Sequence, residues 1–505
     1  MSVSPLRGLA LITPIFLLAQ AAQADLSAED VWSDWKDYLA SVGYEVTGAE
    51  SQIGVALVVS DIQMSMTTEV SRVSLDLGKM EFVENGDGTV NVLMPREFPM
   101  AFDVTSEAED VSGTLLYSHD GSPMVVSGDR SRMEYSYDTG VASFRLEELV
   151  VDGKPMSSDV AALSVTLTDL ASDTVMMIED SRSYTQAIWI ASLVYDFVIQ
   201  DPDGDDTAKF NGALQGLKST GEMAIPKVED PTDMAAMIAA GMAYDIHFTF
   251  DGGNSNINGS DDGNSFAVQT SSQGGAFNLG LSAAGLAYDV VQTETTLSVM
   301  GSDIPFPIAL SMAELGMNFA MPLSKSDEEQ DFALGIALRD FAVPEMVWGL
   351  LDPKGELPHD PANLVLDLAG KAKLFLDLTD EAQMAAVESG EEVPGELNAL
   401  DVNQLLFSVA GAELTGSGAF TFDNTDLESF DGVPAPSGEA NLTLVGANTL
   451  VDKLIGMGLL SEEDAMGARM MMGMFSVPGA GDDTLTSKIE ITEDGKVLAN
   501  GQRLK

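Results

Sequence analysis

The chain has 505 residues, with 80 Asp and Glu against 24 Lys and Arg, and a formal net charge of -56 at pH 7. A body this acidic repels a phosphate backbone, which excludes nucleic-acid binding by charge neutralisation. The absence of cysteine excludes disulfide scaffolds, thiolate metal sites and cysteine nucleophiles. With 45% apolar residues the composition is that of a folded chain, long enough for about three domains.

Arg7 precedes an apolar run over residues 8–22, interrupted by Pro14, and Ala22-Gln23-Ala24 precedes Asp25. A short basic flank, a short apolar core and small residues before the scission point predict a signal peptide over residues 1–24, cleaved after Ala24. No later segment reaches the roughly 18 uncharged apolar residues of a membrane span; the nearest, 187–199, contains Asp196. The expected location is the periplasm of a Gram-negative bacterium, or beyond it by secretion. So many carboxylates repel one another unless salt or divalent ions screen them, which suits a salty medium. They also oppose attachment to anionic lipid headgroups.

Ser27 and Asp30 have capping-box spacing, and Val31, Trp32, Trp35, Tyr38 and Leu39 recur at helical spacing, so a first helix is expected before Gly43. The period then becomes two. Val73, Leu75 and Leu77 alternate with polar residues, Asn85-Gly86-Asp87-Gly88 reads as a hairpin turn, and Val90, Val92 and Met94 follow. Similar runs, among them Leu163, Val165 and Leu167, predict an antiparallel meander to about residue 225. Residues 188–199 are apolar at alternate positions on both sides, and such a strand needs two covers. A helix is the ordinary cover; an apolar ligand or lipid is the functional one, with Trp189, Leu193, Tyr195 and Phe197 as the residues expected to touch it.

Asp230-Pro231 is read as the start of a short helix with Met234, Met237 and Ile238 facing inward. It divides the chain into 25–228, the first helix plus a β-meander, and 229–505, a second meander. The second meander ends in an αα-hairpin (449–457 and 462–475) and a strand pair about Ile489 to Leu498. Short helices are expected over 343–351 and 379–388, with linkers at 391–396 and 423–437. The fold class is therefore α+β, β-dominated, with long twisted antiparallel meander sheets and short capping helices.

No catalytic motif is present. His119, His247 and His359 are far apart, and the zinc-helix, nucleophile-elbow, phosphate-loop and dinucleotide patterns are all missing. Ser33 and Lys36 match a Ser-x-x-Lys spacing on an exposed helix side without companion motifs. Two acidic segments offer the hard oxygens that Ca²⁺ needs: Asp201, Asp203, Asp205 and Asp206, and Asp251, Asn254, Asn256, Asp261 and Asp262. Neither has EF-hand spacing, and a solvated hairpin loop is the ordinary reading. Met470, Met471, Met472 and Met474 on the last helix read first as core filling.

Trp348-Gly349-Leu350-Leu351-Asp352-Pro353, then Leu357-Pro358-His359-Asp360-Pro361-Ala362 and Leu366-Asp367-Leu368-Ala369-Gly370, with the terminal Asn500-Gly501-Gln502-Arg503, resemble the uncharacterised secreted bacterial proteins grouped as the domain-of-unknown-function family numbered 2125. That resemblance implies no activity, cofactor or site residue. The strand pair after an αα-hairpin is also loosely similar to AsmA-like periplasmic β-rich proteins, whose curved sheets are associated with lipid handling, although the long N-terminal anchor of that type is missing. The expectation is thus an exported, non-enzymatic binding or envelope-maintenance protein for an apolar ligand or lipid. The alternative is a structural or surface interaction protein with Ca²⁺-stabilised acidic loops.

Overall fold

A computed structural model describes residues 26–504 except 68–70, 107–109, 180, 202, 203, 205, 232, 303 and 305. The expected signal peptide lies outside the described residues. Helix α1 (Ala28–Ser41) is followed by β1 (Glu45–Ile53), β2 (Ala56–Thr67), β3 (Ser71–Glu84), β4 (Val90–Leu93), β5 (Glu97–Ser106) and β6 (Asp110–His119). Next come β7 (Met124–Asp129), β8 (Arg132–Val151), β9 (Lys154–Pro155), β10 (Ala161–Ile178), β11 (Arg182–Gln200), β12 (Thr207–Ile225) and α2 (Met234–Ala239). Strands β13 (Ala243–Phe250), β14 (Gly252–Asp261), β15 (Asn264–Ser272), β16 (Gly274–Ser282), β17 (Gly285–Gly301), β18 (Ile308–Met321) and β19 (Gln330–Phe341) precede α3 (Glu345–Leu351). The chain continues through β20 (Ala362–Leu374), α4 (Glu381–Glu388), β21 (Gly395–Val409), β22 (Ala412–Asp423) and β23 (Ala435–Val445). It closes with α5 (Ala447–Met457), α6 (Glu462–Phe475), β24 (Val477–Pro478), β25 (Thr484–Ile491), β26 (Val497–Ala499) and β27 (Gln502–Arg503).

Among the described residues all 27 strands belong to one antiparallel sheet. The ladder follows the chain with two forks. In the first, β3 pairs with β5 through residues 71–76 and with β4 through 81–84, and the two branches rejoin on β8 through β6 and β7. In the second, β12 pairs with β13 and β14, and these branches rejoin on β17 through β16 and β15. Hydrogen bonding therefore crosses residue 228 without a break.

Directly opposed residues of an antiparallel pair point to the same side, so the register follows one face through the whole ladder. The face carrying α1 holds Leu57, Val59, Phe82, Val92, Val126 and Met133, which enclose Val31 and Trp32 of the helix in the main core. Phe82 is fully buried, 5.7 Å from the Trp32 ring and 5.4 Å from that of Trp35. The capping box forms as expected: Ser27 N–H donates to Asp30 Oδ2 at 3.1 Å and Asp30 N–H to Ser27 Oγ at 3.2 Å.

The long strands do not alternate strictly. Leu167 and Leu170 of β10 both pack on the core although they are three residues apart, and Asp169 between them has a φ of 48°. Their partners carry the same three-residue step across β11 (Ile190 and Leu193) and β12 (Leu217 and Leu214), where Gly216 has a φ of 60°. One left-handed residue reverses which side the following side chains take, and because neighbours step together the apolar face stays continuous.

Large rings on this face lie over glycine. Tyr195 is opposite Gly212, where an added Cβ would stand 2.5 Å from the phenol oxygen, and Phe332 is opposite Gly370, where it would stand 2.4 Å from Cζ and from the Ala399 carbonyl oxygen.

Helix makes up 12% of the chain against 62% strand, too little to cover so wide a sheet. From β17 onward the α1 face is left partly open: Met317 and Leu315 are each 44% exposed, Ile336 40% and Phe407 46%. Replacement of Phe82 by Ala is expected to cost about 3–5 kcal/mol and Gly370→Ala about 1–3 kcal/mol. Met317→Ala is expected to stay within about 0.5 kcal/mol. Urea midpoints of the three variants check this ordering.

Candidate functional site

The sheet divides polar from apolar chemistry. On the α1 face, Leu286, Tyr288 and Val290 of β17 continue into Met321, Phe319 and Met317 of β18, Leu334 and Ile336 of β19, then Leu368 and Leu366 of β20. Phe407, Leu405 and Leu400 of β21 follow, and Leu414 and Phe420 of β22 extend the row. The intervening residues on the other face include Asp289, Asn318, Glu314, Arg339, Asp367 and Asp401. Among the described residues of β10 to β23, Arg182 is the one charged side chain that the register places on the α1 face, apart from Asp261 at the β14–β15 tip.

Arg182 meets Asp34, which α1 presents from its buried stripe. The guanidinium Nη1 lies 2.5 Å from Asp34 Oδ1, and the Tyr135 hydroxyl donates to Oδ2 at 3.2 Å. Asp34 is 5% exposed. Burial pushes its carboxyl above the usual carboxylate range, against the pull of Arg182 and the Tyr135 hydrogen bond. Beside the pair lies a cavity of about 370 Å³ lined by Asp34, Trp35, Tyr38, Tyr135, Tyr137 and Tyr184, among apolar and polar neighbours that include Leu39, Met124, Met176 and Gln186. Tyr184 donates to Met223 Sδ at 2.9 Å, and burial pushes its phenol up to about 12. It also borders a larger cavity of about 750 Å³ whose lining lies mostly on the other face, among Thr185, Glu222, Asp245, Ala287 and Asp331.

The four apolar residues expected to share a ligand surface do not all do so. Leu193, Tyr195 and Phe197 lie together on the α1 face, with Tyr195 and Phe197 rings 5.5 Å apart. Trp189 points to the opposite face, beside Asp138 and Asp169, because the three-residue step after Ile190 changes the side.

The acidic segments behave differently from two separate loops. Residues 252–261 form β14 rather than a loop, because the partner strands β12 and β15 accept its small Gly, Asn and Ser side chains. Asp251 lies against Gly216, and Asn256 donates to Asn211 at 3.0 Å. The hairpin tips nevertheless converge: carboxylate oxygens of Asp206, Asp261 and Asp262 lie within 4.8 Å of one another, and Asp262 N–H donates to Asp206 Oδ1 at 2.9 Å. Asp201 N–H donates to the Asp206 carbonyl at 2.8 Å. Asp203 and Asp205 lie outside the described residues.

Apart from the half-buried Met472, the methionines of α6 are not core filling. Met470 is 72% exposed, Met471 and Met474 about half. Ser33 is exposed, and Lys36 is committed to Glu50 at 2.7 Å. His359 stacks on Trp348 with ring centroids 4.4 Å apart and faces Glu345 at 3.1 Å, so it braces α3. The residues that sequence reasoning missed are Asp34 and Arg182. Their signal was a carboxylate in the apolar stripe of a helix, at one turn from Val31 and Tyr38.

A single β-dominated α+β sheet with one face apolar is the class of protein that this geometry defines. Residues 243–504, beginning at the first residue of β13, match the family described as uncharacterized protein conserved in bacteria (DUF2125), and the chain belongs to that family. No curated protein and no solved structure matches the chain.

Arg182→Met leaves Asp34 buried without its partner, a change expected to cost about 3–5 kcal/mol at neutral pH. A carboxyl whose folded-state pKa is raised binds more protons folded than unfolded, so its contribution to stability grows as the pH falls and is lost as the pH rises through the folded value. The deficit of Arg182→Met relative to the parent is therefore expected to shrink between pH 7 and pH 5. Urea unfolding of both proteins at the two pH values measures it.

Proposed function

We propose that the protein is exported to the periplasm and holds an apolar ligand, an acyl lipid, against the α1 face of its sheet without catalysing a reaction. The observation that carries this reading is the apolar face between β17 and β22, whose Met317, Ile336 and Phe407 stand more than a third exposed. A contiguous apolar surface of that kind is retained against solubility only where something binds it. The aliphatic and aromatic side chains offer dispersion and the hydrophobic effect but almost no hydrogen bonds, which suits a hydrocarbon chain better than a sugar or peptide. Envelope maintenance is the role such a binder would serve.

Native extraction of the full-length protein followed by lipid mass spectrometry is expected to return co-purified acyl lipid. The double variant Ile336→Asp/Leu366→Asp, with two charges on the face, is expected to retain its fold by circular dichroism and lose most of that lipid. A parent protein that purifies free of lipid refutes the reading.

A second reading has one observation in its favour. The three carboxylates of Asp206, Asp261 and Asp262 meet at adjacent hairpin tips, an oxygen-rich arrangement that Ca²⁺ would stabilise, as in a structural or surface interaction protein. Millimolar Ca²⁺ is then expected to raise the thermal midpoint of the parent but not of Asp206→Asn/Asp262→Asn, with Mg²⁺ at equal ionic strength as the control.

A further inference from the structure

The cavity beside α1 has a chemistry unlike the rest of the apolar face. An ion pair taken out of water contributes little net stability compared with apolar side chains of the same volume, so the burial of Asp34 with Arg182 beside a cavity calls for another role. Arg182 does not line the cavity, whereas Asp34 does, together with Trp35, Tyr38, Tyr135, Tyr137 and Tyr184. A guest therefore meets a carboxylate and five aromatic side chains. Ring faces attract cations, most strongly where water is excluded, and the net charge of -56 adds a field of the same sign preference.

We propose that this cavity takes the ammonium group of an amphiphile, of the phosphocholine or phosphoethanolamine kind, whose hydrocarbon tail continues over the α1 face. The inference rests on the lipid-binding reading and adds the class of headgroup to it. Tyr184 stands where head and tail would join, because it lines this cavity and begins the row of directly opposed residues Met223, Tyr244, Leu281, Leu286 and Met321 that crosses the α1 face. About 370 Å³ is room for one small headgroup and the first carbons of its chain. An anionic head would meet Asp34 and the acidic body together.

Isothermal titration of the full-length chain, in about 0.5 M NaCl to screen its overall charge, with dodecylphosphocholine, dodecyl maltoside, dodecanoate and free choline below micellar concentrations tests this. Dodecylphosphocholine is expected to bind about tenfold tighter than the maltoside or the dodecanoate. Asp34→Asn and Tyr38→Leu are each expected to remove the tenfold preference for dodecylphosphocholine over the maltoside. If Asp34→Asn does not fold, Tyr38→Leu, at a half-exposed position, decides. Equal affinity for the three dodecyl compounds, or no effect of Tyr38→Leu, overturns the headgroup inference and leaves the lipid reading standing. No binding of any dodecyl compound overturns both. Free choline binding as tightly as dodecylphosphocholine, with no maltoside binding, supports the ammonium site but assigns it to a soluble amine and overturns the lipid reading.

Discussion

The constraint on which this structure depends is the pairing register of the ladder. Every strand hands its side-chain orientation to the next, so a slip by one residue anywhere would move charges such as Asp367 or Glu314 onto the apolar face and Leu366 or Leu315 into the acidic one. The three-residue step is the severe case. It survives because Leu167 and Leu170, Ile190 and Leu193, and Leu217 and Leu214 step side by side, with Asp169 and Gly216 supplying the left-handed backbone.

Local signals in the sequence translated well into structure. Ser27 with Asp30, Ser461 with Asp464, and the turn at Asn85 to Gly88 each depend on neighbours a few residues away, and each stands where it was expected. Helix α2 begins later than Asp230-Pro231 indicated, since Asp233 and not Asp230 accepts the capping hydrogen bond from Ala236 N–H. Trp189 lies on the other side from the one that its alternation with Leu193 predicts, for a deeper reason. A period of two cannot reveal a reversal made by one left-handed residue in a neighbouring strand.

Non-local placement was harder to read. The convergence of Asp206 with Asp261 and Asp262 follows from β12 lying beside β14, a pairing that skips a strand and leaves no periodic trace. The partnership of Asp34 with Arg182 spans most of the first half of the chain. The glycines opposite Tyr195 and Phe332 belong to the bulky face, because an aromatic ring folded over a glycine fills both positions. The exposed methionines of α6 show the limit of composition, which records apolarity but not whether a neighbour exists to cover it.

A sheet that keeps one apolar side in contact with water has a thermal signature. The positive heat-capacity change of unfolding comes from newly hydrated apolar surface, and here part of that surface is hydrated before unfolding begins. The increment per residue is consequently small for a chain of this length, and the curve of stability against temperature is broad and shallow, so folding is comparatively indifferent to warming and cooling around its maximum.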